Sequence, residues 1–123
     1  LSLAKRFWPG PLTLIVPKLP GLPSAVSPYP TVGVRIPDHP IALALLRKIG
    51  PLAVTSANLS GKENANTADE VMRQLQGRIH LIIDGGTTPG GVPSTVVDVT
   101  GAEPAVLREG PVSLEEIRLV MAR

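Results

Sequence analysis

The chain has 123 residues, no cysteine and a formal net charge of +2. This length is enough to form one domain, residues 1–123, without disulfide or metal staples, and the absence of cysteine excludes thiolate catalysis and cysteine zinc sites. Cations and carboxylates nearly balance, and only Phe7, Trp8 and Tyr29 are aromatic, which argues against the stacking surfaces of single-strand nucleic-acid binders. No apolar run approaches a membrane span, so we expect a cytoplasmic protein with no membrane partner.

The first half of the chain alternates apolar runs with proline-rich breaks. Residues 1–7 are typical of the last turns of a helix, which the prolines and glycine of 8–11 end. Strands are predicted at 12–16 and 31–37, joined by an extended loop over 18–30. A helix over 39–49 follows, with Asp38 as its cap and Pro40 in its first turn.

The second half repeats this pattern of short elements. Apolar runs predict strands at 52–54, 80–84, 94–99 and 105–110, and the last two helices are predicted at 67–76 and 113–122. Thr67 with Glu70, and Ser113 with Glu116, have the spacing of capping boxes. Five or six short strands with these helices predict an α/β or α+β fold, a twisted mixed sheet with flanking helices.

Two places in this pattern are candidates for ligand binding. The loop 55–61 gathers hydroxyls, an amide and a glycine after a strand, which suits a polar pocket and suits a plain turn equally well. Alternation along 31–37 puts Thr31, Gly33 and Arg35 on one face, where the guanidinium is either a carboxylate or phosphate clamp or a surface cation. Arg108 has the same two interpretations.

The histidines and two of the aspartates carry no metal signature. His39 and His80 have no second ligand at metal-binding spacing, so we expect a surface or capping role for His39 and a strand-edge position for His80. Asp84 and Asp98 are candidates for caps, turn residues or metal ligands. No metal ligand and no catalytic acid or base is assigned.

Six blocks in order resemble one known domain family: KRFWPGPLTL (5–14), VRIPDHP (34–40), TSANLSG (55–61), DGG (84–86), PSTVVD (93–98) and LREG (107–110). Together they are similar to the C-terminal two-thirds of the YrdC-like domain of threonylcarbamoyl-adenylate synthases. The resemblance implies an α/β sheet around a cavity, and an enzyme that converts L-threonine, bicarbonate and ATP, with Mg²⁺, into threonylcarbamoyl-adenylate and pyrophosphate. It also implies a place in the N6-threonylcarbamoyl modification of adenosine 37 of tRNA, with other proteins of that pathway as partners.

The resemblance also implies site residues. Family positions on ATP match Thr31, Ser56 or its neighbour Asn58, Asn66 and Arg108, and those on L-threonine match Arg35 and Ser94. Asn66 stands where a hydroxyl residue is expected.

These residues contain no match to the family's N-terminal third, with its Lys-x-Arg pair. We therefore expect a fragment whose isolated chain has negligible synthase activity. The alternative is a tRNA-binding or double-stranded-RNA-binding module of the same fold without synthase activity.

Overall fold

The structure is a computed structural model that describes residues 1–89 and 92–122. The chain forms two compact units: one contains Leu1–Gly50 and the segment from Val92 onward, and the other begins at Pro51. The helices are α1 (Ser2–Phe7), α2 (Pro40–Ile49), α3 (Ala68–Leu75) and α4 (Leu114–Met121). The strands are β1 (Leu12–Pro17), β2 (Thr31–Val34), β3 (Thr95–Asp98) and β4 (Ala105–Arg108). In the described ranges no helix is both long and apolar enough to cross a membrane.

The four strands form one mixed sheet in the order β2-β1-β3-β4. β1 runs antiparallel to β2 and parallel to β3, and β3 runs antiparallel to β4. The predicted α/β sheet with flanking helices is therefore confirmed. Strands from both ends of the sequence meet at the centre of this sheet.

One face of the sheet is the core. Leu12, Leu14 and Val97 alternate with less buried neighbours on β1 and β3, because successive strand residues point to opposite faces. Leu3 of α1 and Ile117 of α4 pack into the same buried cluster. The opposite face of β1 and β3 therefore remains available for polar side chains.

The turn between α1 and β1 is stabilised by the Trp8 side chain as well as by prolines. Trp8 has extended backbone and its Nε1 donates to the carbonyl oxygen of Leu12 at 2.7 Å, which directs the chain from the helix into β1. The predicted loop 18–30 is also confirmed, since it contains neither helix nor strand. Ser27 is buried inside it, with Oγ donating to the Thr31 carbonyl at 2.7 Å.

The predicted strands at 52–54 and 80–84 are wrong. Both runs lack strand structure, and Val54 and Leu81 are 79% and 77% exposed. A strand is stabilised by hydrogen bonds to a neighbouring strand and by one buried face, and in the described residues neither run has either. Apolar composition made these runs candidates for buried strands, but it does not indicate whether a neighbouring strand is present to pair with them.

Helix caps agree with the sequence at two of three places. Thr67 Oγ1 accepts from Glu70 N at 3.2 Å, although the Glu70 carboxylate accepts from Asn66 N, one residue before the cap. Ser113 and Glu116 form the complete reciprocal box. Asp38 is not the cap of α2: that position belongs to His39, whose side chain makes no capping bond.

The capping box at the start of α4 changes the pKa of Glu116. Ser113 N and Oγ donate to Glu116 Oε2 at 2.9 and 3.0 Å. These hydrogen bonds, the backbone one first, lower the pKa of Glu116 below its ordinary value of 4.5. A carboxylate with a depressed pKa stabilises the fold above its unfolded pKa, and this contribution is lost as pH falls through the folded pKa.

We predict that Glu116→Gln flattens the fall in unfolding free energy below pH 4.5, because the amide cannot titrate. Urea unfolding followed from pH 7 to pH 3 measures this. Glu115→Gln is the matched control, since it removes the same charge from the same first turn. Equal pH profiles for the two variants would contradict the role given to Glu116.

Candidate functional site

A hydroxyl and guanidinium cluster lies on the face of the sheet opposite the core. Ser94 Oγ lies 2.8 Å from Thr13 Oγ1 and accepts from Arg108 Nη2 at 3.1 Å. Arg108 also donates through Nε and Nη2 to the Ser94 carbonyl at 3.0 and 2.9 Å. Thr13 pairs with Val96 of β3, and Val96 pairs with Arg108 of β4, so the cluster crosses three strands.

The backbone at Ser94 is fixed from both sides. Thr95 N donates to the Pro11 carbonyl at 2.9 Å, and Thr95 Oγ1 both donates to the Val112 carbonyl and accepts from Val112 N. Ser94 and Thr95 are 6% and 0% exposed. Their position is therefore set by the loop before β1 and by the turn before α4, and Ser94 has little freedom to move.

Arg35 reaches the site from the end of β2. Its Nε donates to the Gly10 carbonyl at 2.9 Å, and Gly10 N donates to the Ile36 carbonyl at 2.9 Å. Partial desolvation lowers the pKa of Arg35, and the positive charge of Arg108 lowers it further. The two guanidinium groups are thus close enough to repel each other.

This repulsion is not relieved inside the chain. In residues 1–89 and 92–122, the hydrogen bonds of Arg35 and Arg108 go to the neutral oxygens of Gly10 and Ser94, and none goes to a carboxylate. An anion placed between two such groups gains charge-assisted hydrogen bonds and removes the repulsion. The arrangement is therefore suited to an anionic ligand.

Thr31 and Gly33 extend this face onto β2. A Cβ at Gly33 would lie 3.3 Å from side-chain atoms of both Thr13 and Ile15, which places Gly33 above β1 on the side of the cluster. Strand alternation puts Thr31 on that side as well, as predicted. Glycine at position 33 lets the side chains of Thr13 and Ile15 approach its backbone, and Gly33 itself is exposed.

Ser56, Asn58 and Asn66 belong to the other unit and are held by local bonds. Asn58 Nδ2 donates to the carbonyls of Leu59 and Lys62 at 3.0 and 2.9 Å, so it closes the loop, while its buried Oδ1 has no partner in the described residues. Asn66 Oδ1 accepts from Thr88 Oγ1 at 3.2 Å. Ser56 is exposed. Their roles toward ATP stay predictions.

The two aspartates close turns. Asp84 Oδ1 accepts from Gly86 N at 2.8 Å, and Asp98 Oδ1 accepts from Thr100 N and Oγ1 at 2.8 and 2.6 Å. The bonds from Thr100, the side-chain one first, lower the pKa of Asp98. In the part of the chain that the structure describes, no group of three His, Cys, Asp or Glu side chains could hold a metal ion.

The structure adds residues that the sequence did not single out as site residues. They are the hydroxyl of Thr13, the carbonyl of Gly10, and Gly110, where a Cβ would overlap the backbone of residues 93–95. Thr13 and the Gly10 carbonyl lie in the block 5–14, which supplied part of the family resemblance but no candidate ligand contact. Their roles depend on contacts that sequence spacing does not report.

A mixed sheet with flanking helices and a hydroxyl and guanidinium cluster on the face opposite its core defines a class of α/β domain. The chain belongs to the Sua5/YciO/YrdC family, whose model carries the description "Telomere recombination" and matches residues 1–110.

Three relatives show the extent of this similarity. The Bacillus subtilis threonylcarbamoyl-AMP synthase is 49% identical over 126 residues, covering 98% of this chain and 36% of the relative. The crystal structure of Pyrococcus abyssi Sua5 complexed with L-threonine has 49% identity and a TM-score of 0.87, covering 97% of this chain and 36% of that one. Escherichia coli YciO has 34% identity and a TM-score of 0.79, covering 94% and 57%. The chain thus spans about a third to just over half of these relatives.

We predict that Gly110→Ala destabilises the protein by about 1–3 kcal/mol, because the added methyl has no space beside Pro93, Ser94 and Thr95. Urea unfolding measures the loss. Gly101→Ala is the control, since a Cβ there would meet only the Glu103 carbonyl at 3.6 Å. If the two variants are equally stable, Gly110 does not set the position of Ser94.

Proposed function

We propose that this chain is part of a threonylcarbamoyl-AMP synthase, which joins L-threonine, bicarbonate and ATP into threonylcarbamoyl-AMP and pyrophosphate. The family match, the name of the B. subtilis relative and the L-threonine in the P. abyssi Sua5 complex support this proposal. The observation in the chain itself that carries it is Arg108, which donates to the Ser94 hydroxyl and whose positive charge acts on Arg35. A substrate carboxylate and a polyphosphate are both anions that such a pair binds.

The proposed roles are those that the family resemblance implies. Arg35 and Ser94 bind the carboxylate of L-threonine, and Arg108 binds the phosphates of ATP. Thr31, at the start of β2, is a further ATP contact. Ser56, Asn58 and Asn66 supply hydroxyl and amide groups to the nucleotide.

The reaction needs positioning and charge stabilisation more than a protein acid or base. Carboxylation of the threonine amine by bicarbonate releases water. An oxygen of the resulting N-carboxylate then forms a bond to the α-phosphorus of ATP, and the bond from that phosphorus to the bridging oxygen of pyrophosphate breaks. Negative charge develops on the leaving pyrophosphate, and a fixed guanidinium stabilises it without reorganisation. Arg108 has this function in the proposal, with its orientation set by the two bonds to the Ser94 carbonyl.

Mg²⁺ accompanies ATP in this proposal, but the described residues do not fit a protein-held ion. They provide no cluster of carboxylates, and the Asp98 carboxylate oxygen Oδ1 is already engaged by Thr100. Mg²⁺ in nucleotide sites is commonly held largely by phosphates and water. We therefore assign the ion to the nucleotide and no step of the reaction to it.

The product is an activated intermediate for the threonylcarbamoylation of tRNA, so tRNA and the proteins that transfer the group to it are the proposed downstream partners. The corresponding compartment is the cytoplasm. Nothing in the cluster favours a double-stranded-RNA module over the synthase, because Arg108 is bonded to the buried Ser94 and Arg35 to the Gly10 carbonyl, and the two do not form a basic stripe.

We predict that Arg35→Ala weakens L-threonine binding and that Arg108→Ala weakens ATP binding, each by about 1.5–3 kcal/mol, the usual value of a charged hydrogen bond. Calorimetric titration of the complete gene product with each substrate measures both losses.

Arg47→Ala in the last turn of α2 is the control for the loss of one positive charge. The assignment of substrates to the two arginines fails if both site variants bind like the wild type. It also fails if Arg47→Ala weakens binding equally, because the effect would then be one of overall charge.

We also predict negligible pyrophosphate release by the 123-residue chain alone, because the resemblance assigns further phosphate contacts to a Lys-x-Arg pair that these residues do not contain. The complete gene product is expected to release pyrophosphate only when L-threonine, bicarbonate and ATP are all present. A coupled pyrophosphatase assay of both proteins measures this. Release by the complete protein without L-threonine would overturn the proposed function.

A further inference from the structure

The hydroxyl groups of Thr13 and Ser94 can form a hydrogen bond in only two directions, and the contact with Arg108 restricts what each direction allows. A serine hydroxyl has one proton and two acceptor lone pairs, whereas a guanidinium can only donate. Arg108 Nη2 therefore occupies one lone pair of Ser94 Oγ. What remains on Ser94 is one lone pair and one proton.

Thr13 Oγ1, at 2.8 Å, can use either of these, since each hydroxyl of the pair can be the donor. In the first arrangement Ser94 donates to Thr13, and the Thr13 proton is directed elsewhere. In the second, Thr13 donates to Ser94, both lone pairs of Ser94 are filled, and the Ser94 proton must find another acceptor. Ser94 is only 6% exposed, so water is a poor source of that acceptor.

An anion at the arginine pair supplies the missing acceptor. A carboxylate can accept but not donate, so one that lies at Ser94 Oγ selects the second arrangement, in which Ser94 donates to the ligand and Thr13 donates to Ser94. Each hydrogen bond in such a chain polarises the next and strengthens it. Gly33 is exposed and lies next to Thr13, so the backbone beside the hydroxyl pair is open to solvent.

We propose that Thr13 is a positioning residue: it donates to Ser94 and so directs the Ser94 proton to the ligand anion. Under the proposed function, on which this inference rests, that anion is the carboxylate of L-threonine. Thr13 itself does not need to touch the ligand. Its effect passes through Ser94, which lies 81 residues later in the sequence.

The test is a double-mutant cycle on the complete gene product, with ligand affinity read from calorimetric titrations. The variants are Thr13→Val, which keeps the shape and removes the hydroxyl, Ser94→Ala, and the double variant. Thr13→Ser is the matched control because it retains the hydroxyl. The two ligands are L-threonine and inorganic pyrophosphate, an anion with no resemblance to an amino acid.

We expect Thr13→Val to weaken L-threonine binding about three- to tenfold, the range of one neutral hydrogen bond, and Thr13→Ser to bind like the wild type. In the Ser94→Ala background, Thr13→Val should have no further effect. A purely structural role predicts otherwise: Thr13→Val would weaken binding equally with and without Ser94, and that result overturns the inference. Unchanged affinity in Thr13→Val overturns it as well.

The second ligand separates this inference from the proposed function. If the wild type binds pyrophosphate but not L-threonine, and the Thr13→Val loss still requires Ser94, the positioning role stands and the proposed substrate is wrong. If L-threonine binds and Thr13→Val has no effect, the proposed substrate stands and the positioning role is wrong. Binding of neither ligand overturns both.

Discussion

The parallel pairing of β1 with β3 is the constraint on which the rest of the structure depends. It aligns Leu12 with Thr95 and Thr13 with Val96, so that one face of both strands enters the core and the other carries the polar cluster. The core face is dry, with Leu12, Thr95 and Val97 all fully buried. A slip of one residue in this register would exchange the two faces, so the same hydrophobic packing that stabilises the fold also sets the position of the site.

The cluster shows how neutral backbone oxygens can hold cations without neutralising them. Arg35 is anchored by a carbonyl of the loop before β1, and Arg108 by a carbonyl of the residue before β3. Both keep their charge while their orientation is restricted. The positive charge of Arg108 lowers the pKa of Arg35, so a like charge acts on a guanidinium that is already partly desolvated.

Much of the fold could be predicted because the relevant signals are local. Periodicity, prolines and caps located all four helices and the four strands of the sheet, and the box Ser113 with Glu116 has the expected geometry. The runs 52–54 and 80–84 misled because a strand also requires a partner, and apolar composition says nothing about one. The cap of α2 was placed one residue too early, at Asp38 and not at His39, since neighbouring polar residues compete for that position.

In the candidate site, too, the residues that could be predicted are those with a local sequence signal, and the residue that was missed depends on a contact between distant positions. Arg35, Ser94 and Arg108 stood out through residue type and family resemblance, and the structure brings them into one cluster with a clear electrostatic character. Thr13 did not stand out, because a threonine in a buried-type strand is ordinary and its contact with Ser94 joins distant parts of the sequence. Hydrogen-bond direction within that pair is a property of three side chains together and could not be derived from any one of them.

The order of the strands has a consequence for how the molecule is made. β1 and β2 are neighbours in sequence and can pair early, but β3 and β4 complete the sheet only after some sixty intervening residues have been synthesised. Closing so long a segment is entropically costly, and topologies rich in such distant pairings fold slowly. The polar face of the sheet is therefore completed only once β4 has been synthesised, and a chain that ends before residue 95 contains Arg35 without Arg108.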